Sequence, residues 1–309
     1  MKKAALILAG LTTLTTSYAQ APVPAAVARA GDHGNGPSLN GSVSGVGRTP
    51  FKSGNERYNE MSSSAFAFGL SEFIPCGQDF GVEASLTYSR TDLEFARGRN
   101  SILPLPERLQ SLCIGFHSTQ PINDRWSAML GTNLVSATAG SSGFKSKGLG
   151  VEVFTAATYT SSPTLSFIGG VAYNSLSKDT TRLFPVLGVN WTPAAQWTVA
   201  VGLPETGVTY RFSDSLNLGL VAVAEGGAYY VETDPRPVTI GKPDLARTTL
   251  DYFAVGVAIK AGWQASNRFR VTTSVGTIVQ REFNYESRKL KLKSDDSGLY
   301  YEFGATFAF

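Results

Sequence analysis

The sequence predicts an all-β protein, a transmembrane antiparallel up-and-down β-barrel of about fourteen strands, and three observations carry that expectation. The closing segment, 298–309, alternates strictly: Tyr301, Phe303, Ala305, Phe307 and Phe309 fall on one side, Tyr300, Glu302, Gly304, Thr306 and Ala308 on the other. A strand requires that period, whereas a helix would scatter the aromatics around its axis. Connections between strand-like segments alternate short and long, as they do when the periplasmic ends of a barrel are trimmed and its outer ends are free to grow. The N-terminus reads as an export signal, and no run of about 18 apolar residues follows it that could cross a bilayer as a helix.

Met1-Lys2-Lys3 is basic, Ala4 to Thr16 is uncharged and largely apolar, and Ser17-Tyr18-Ala19 is a small-x-small site before Gln20. Residues 1–19 are therefore expected to be a signal peptide cleaved before Gln20, and the absence of a Cys after the cut argues against a lipid anchor. Residues 20–40 contain Pro22, Pro24, Gly31, Gly34, Gly36 and Pro37 with no apolar period. They read as a flexible periplasmic leader, or at most a small plug. The barrel is expected to occupy 41–309.

Strand candidates are 41–51, 63–74, 79–90, 107–119, 125–138, 149–160, 164–174, 183–192, 196–203, 207–212, 216–231, 248–264, 267–283 and 298–309. Most are long enough for a tilted crossing of a bilayer, which takes about 9–11 residues. Short turns fall at 75–78, 121–124, 161–163, 193–195, 213–215 and 265–266, and longer polar loops near 52–62, 91–106, 139–148, 175–182, 232–247 and 284–297. The tight turn at 204–206 breaks the alternation by standing where a long loop should be. About twelve strands is the alternative if the brief 196–212 hairpin or the first strand is miscounted.

Composition agrees with this class. Charged residues make up 17% and hydrophobic residues 42%, and the charged share lies below the roughly 25% of ordinary globular domains. A net charge of +3, spread along the chain, gives no footprint for nucleic acid. Trp126, Trp191, Trp197 and Trp263 all stand beside short turns, with Tyr88, Tyr173 and Tyr230 toward the other ends. Amphipathic rings favour the headgroup zone, so these are candidate girdles. Cys76 and Cys113 are expected at different heights on strands that are not neighbours, hence as free thiols.

The terminal alternation of Tyr301, Phe303, Phe307 and Phe309 resembles the assembly signal of bacterial outer-membrane barrels. That resemblance implies recognition by the barrel-assembly machinery and residence in the cell outer membrane, among phospholipid and lipopolysaccharide. A second stretch runs from Phe184-Pro185-Val186-Leu187-Gly188-Val189-Asn190-Trp191-Thr192-Pro193 through Trp197 and Val201-Gly202-Leu203-Pro204 to Val208-Thr209-Tyr210-Arg211-Phe212. It is similar to the core of a family of uncharacterised outer-membrane barrel proteins, which supplies an architecture and no functional residues.

Chemistry for an enzyme is sparse. His117 and Ser118 are adjacent on a strand and point to opposite faces, so they cannot act together as base and nucleophile. No Cys/His cluster suggests a transition metal, Asp295-Asp296 read as a solvated loop tip, and no cofactor or catalytic residue is expected. Alternation instead turns Glu83, Glu152, Arg211, Glu225 and Lys260 toward the lumen at membrane depth, where charges are tolerated if wet or paired. Arg288, Lys289, Lys291 and Lys293 alternate with Leu290 and Leu292, so the last hairpin should continue above the membrane with a basic edge. That edge is either a possible contact for anions such as lipopolysaccharide phosphates or a solvated strand whose lysines discourage pairing. Lumen polarity points to a passive channel for small solutes. The alternatives are a structural or surface-recognition barrel and an outer-membrane hydrolase.

Overall fold

A computed structural model describes residues 36–77, 80–96, 103–140, 143–177, 182–202, 205–236 and 244–309. The expected signal peptide and residues 20–35 of the expected leader lie outside these residues, and the last three of the leader, Ser38, Leu39 and Asn40, belong to the first strand. The strands are β1 (Ser38–Ser53), β2 (Glu56–Pro75), β3 (Gly81–Phe95), β4 (Arg108–Pro121), β5 (Trp126–Ala139), β6 (Leu149–Ser162), β7 (Leu165–Asn174) and β8 (Leu183–Ala194). They continue as β9 (Trp197–Gly202), β10 (Gly207–Arg211), β11 (Leu216–Val231), β12 (Thr248–Ser266), β13 (Phe269–Tyr285), β14 (Leu290–Ser294) and β15 (Gly298–Ala308).

Each strand from β1 to β13 pairs antiparallel with the next, and β15 returns to β1 to close the ring. β14 and β15 share the partners β13 and β1, so they are two halves of one wall strand interrupted at 295–297. The barrel is thus closed by 14 strands. The short turns are built by side chains that satisfy local backbone donors. Asn123 Oδ1 accepts from the N–H groups of Arg125 and Trp126, and Ser213 Oγ from those of Ser215 and Leu216.

One connection differs from expectation. Residues 52–62 read as a long polar loop, yet β1 and β2 run on as a ladder to a tight turn at Gly54, whose φ of +58° suits glycine. Its polar side chains are the outward face of a hairpin rising above the membrane, while Tyr58 and Met61 turn inward and are buried.

Outside, the barrel carries a continuous apolar belt. Phe68, Leu86, Ile114, Leu130, Leu134, Leu187, Leu220, Ile259, Val275 and Phe303 are all exposed. A patch encircling the whole molecule is far larger than a soluble monomer tolerates, and in lipid it is solvated. All four Trp side chains are exposed at the short-turn end of this belt.

Two apolar clusters occupy the interior. The larger fills the outer half, drawing on β1–β5, β11–β15 and the segment before β4. A smaller one, Ala156, Ile168, Ala172, Phe184 and Val186 with Met129 and Phe154, covers the inner face of β5–β8. At the outer end the ring is also pinched. Tyr230 and Val231 of β11 pair in parallel with Thr138 and Ala139 of β5, a contact that skips five strands.

Candidate functional site in the barrel interior

The outer end of the interior is a packed plug. Leu103, Leu105, Leu109, Tyr229, Leu250, Phe283 and Tyr285 are buried together, and Tyr285 Oη donates to the Pro104 carbonyl at 2.9 Å. Through this core runs Arg281, which has no solvent exposure. Its Nη2 donates to Ser63 Oγ at 2.9 Å and its guanidinium lies over the Phe51 ring, 5.8 Å from the centroid. Since β14 and β1 stand between β13 and β2, this side chain bolts one wall to another across the lumen. Glu225 on β11 lies within electrostatic reach of Arg281, so the buried cation has a carboxyl group near it.

Strand alternation did not put Arg281 inside. Between the pairs Val255–Gln280 and Gly256–Ile278 the ladder shifts, leaving Val279 as a bulge. The extra residue reverses the parity, so Gln280 faces out and Arg281, Phe283 and Tyr285 face in. The sequence hides the bulge, since Phe283 and Tyr285 keep the parity of Val275 and Val279; the one trace of it is Arg281 itself, a charge on an otherwise uncharged face.

Below the plug the interior is polar on one side. Glu152 on β6 is buried, and its carboxylate accepts from Asn133 Nδ2 at 3.2 Å and Asn174 Nδ2 at 3.0 Å. Asn133 Oδ1 stands 3.1 Å from His117 Nε2, whose ring lies 5.5 Å from that of Phe154. Glu83 on β3 is the cross-strand partner of His117. The result is a strip of hydrogen-bonding side chains across β3 to β7. Ser118 turns away and donates to the Gly81 carbonyl, so it does not meet His117.

The remaining expected lumen charges are dispersed. Lys260 on β12 reaches Glu205, in the β9–β10 turn, at 3.6 Å. Arg211 was expected at membrane depth, but it ends β10 at the periplasmic rim, where Nη2 donates to the Ala195 carbonyl at 2.8 Å. The reason is the turn built on Ser213, which begins two residues on and fixes Arg211 at the lower end of the strand. No single ring of charge is formed by Glu83, Glu152, Arg211, Glu225 and Lys260.

On the outer hairpin, β14 continues above the membrane as expected, but its basic side chains are engaged. Lys291 and Lys293 both pair with Glu282, and Arg288 Nη2 donates to the Ala246 carbonyl. Lys289 sits in the left-handed region at the turn. Nearby, Lys52 pairs with Asp295. Of the terminal aromatics, Tyr301, Phe303, Phe307 and Phe309 are all exposed on the outer face. Cys76 is exposed, Cys113 is buried, and both are free thiols. Among the described residues no three His, Cys, Asp or Glu side chains converge as metal ligands would.

These features define a membrane-spanning barrel with a plugged outer end and a polar strip beneath the plug. Residues 81–308 match the model of a family described as a domain of unknown function (DUF6268), and the chain belongs to that family. No curated protein matches the chain. Among solved structures it is similar to a COG4313 outer membrane channel from Pseudomonas putida F1, at 7% identity and a TM-score of 0.51, covering 91% of this chain and 99% of that one. It also resembles a deletion mutant of TodX, a monoaromatic hydrocarbon channel, at 11% identity and a TM-score of 0.47, over 90% of this chain and 91% of that one. A FadL homologue from Pseudomonas aeruginosa gives 9% identity and a TM-score of 0.47, over 89% and 91%. The first of these supports the barrel fold.

Proposed function

We propose that this integral outer-membrane barrel is a passive channel for small solutes. One observation carries the reading. The inner face below the plug keeps a hydrogen-bonding strip built on His117, Asn133, Glu152 and Asn174, inside a ring of fourteen strands, a number that gives a barrel wider than those of about eight strands that side chains fill. A purely structural barrel would gain nothing from buried carboxylate–amide contacts that a packed apolar face could replace. Glu83, Glu225 and Lys260 belong to the same inner wall in this reading. Hydrolysis by His117 is disfavoured because Ser118 points away from it.

Two interactions of the barrel with its surroundings complete the proposal. The terminal aromatics are the handle for the barrel-assembly machinery, and lipopolysaccharide surrounds the outer rim. Contact of lipopolysaccharide phosphate with the basic hairpin falls chiefly to Arg288 and Lys289, since Glu282 already neutralises Lys291 and Lys293. The test is flux of a graded panel, from pentoses to apolar dyes, into vesicles and into cells with and without the protein. Faster entry of at least one class is expected. Folded protein that accelerates none of them would sink the channel and favour surface recognition.

A further inference from the structure

The wall is not of uniform height. β9 and β10 have 6 and 5 residues, against the about 9–11 that a tilted strand needs to cross a bilayer. Both stand on the periplasmic side, where Trp197 and Arg211 adjoin the short turns, so this hairpin covers only the lower part of the crossing. The β8–β9 ladder ends at Gly188–Gly202 and the β10–β11 ladder at Gly207–Val221, extended by Ala222 N–H to the Thr206 carbonyl. Above those points β8 runs on to Leu183 and β11 to Val231, with no ladder joining them among the described residues. Leu183 and Leu187 are 63% and 59% exposed on the outer face, so this part of β8 is still at hydrocarbon depth.

Strand edges are not left against lipid unless they line a cavity, because their backbone groups would lack partners. The edge of β8 is suited to such a place. Thr192 N–H donates to the Thr164 carbonyl before β7, so even-numbered residues of β8 direct their backbone groups at β7 and odd-numbered ones at the opposite edge. Pro185 is odd-numbered: the missing N–H falls on the edge facing the gap, where proline is tolerated in a strand. Behind the gap lies the apolar inner face of β5–β8, including Ala156, Ala172 and Val186. The axial exit above is filled by the plug, and at the sill of the gap Glu205 pairs with Lys260 past β11 at 3.6 Å.

We propose that the gap between β8 and β11, above the β9–β10 hairpin, is a side portal through which uncharged, predominantly apolar small solutes pass between the outer leaflet and the interior. This rests on the channel reading and names its substrate class. An apolar solute meets apolar surface from the leaflet through to the inner face of β5–β8, whereas a charged one would shed its hydration without a partner.

The test places a single cysteine carrying bimane in a Cys76→Ser, Cys113→Ser background, in vesicles of phosphatidylcholine with brominated acyl chains. Val186→Cys reports the portal, Leu187→Cys the lipid face, and Ser274→Cys an interior site behind full-height strands. Val186 and Ser274 are both buried, so quenching at 186 above that at 274 reports passage of lipid-phase molecules between β8 and β11, and quenching at 186 no greater than at 274 overturns the portal. Transport gives a second reading. In cells with intact lipopolysaccharide, Val186→Trp should cut uptake of N-phenyl-1-naphthylamine about tenfold, the scale of a steric block in an apolar passage. Arabinose flux without protein-dependent naphthylamine uptake defeats the portal and leaves the channel standing. Acceleration of neither solute defeats the channel reading as well.

Discussion

Arg281 concentrates the physical tension of this molecule in one side chain. A guanidinium without solvent contact is costly, and it persists here because Ser63, Phe51 and the nearby Glu225 share the desolvation. Arg281→Ala is expected to lower stability by about 2–4 kcal/mol, through the cavity left and the partner it strands, as read from urea unfolding in lipid vesicles. Arg281→Met, which keeps the volume, should recover most of that loss. Asp234, in the loop after β11, is a second sensitive residue. Its carboxylate accepts from the Arg236 guanidinium and from the Leu245 N–H, and these hold it well below the usual carboxylate range. Because the folded pKa is depressed, its stabilisation is complete above the ordinary aspartate pKa of about 3.9 and is lost only as pH falls through the folded value. Amide exchange of this loop should therefore accelerate on acidification below that range, and Asp234→Asn should abolish the dependence. Neither residue's role was legible from alternation: one needed a bulge, the other a loop fold.

At the scale of elements, the plug is the part most open to test. Leu103 and Leu105 precede β4 in a segment that reads as a polar outer loop, yet both are buried. Replacing both with Ser puts hydroxyls where nothing pairs with them and should loosen the plug. The expected result is conductance steps in planar bilayers that are larger or more frequent than those of the unaltered protein, with heat-modifiable migration showing that the barrel still folds. An unchanged conductance would mean that the segment does not control the axial path. Strand boundaries, by contrast, were readable nearly everywhere, because each is fixed by its own period and by turn residues such as Asn123 and Ser213 that satisfy local donors. The exception at 52–62 arose because a polar hairpin above the membrane and a polar loop have the same composition.

For the whole molecule, closure by β15 on β1 and the belt of exposed Leu, Ile, Val and Phe have a single physical cause. Lipid solvates the outer face, so the interior is released from the need to be uniformly apolar. Sequence by itself determined the membrane-spanning barrel and the placement of the four Trp at one rim, since side-chain direction in a strand follows a local period of two. Tertiary structure alone decided the β5–β11 seam and the plug, whereas the brief hairpin at β9–β10 was already announced by its short segments and tight turn. Seam and plug depend on which distant strands meet and at what height, as with Tyr230 beside Thr138, and no local period encodes the meeting of segments so far apart in the chain.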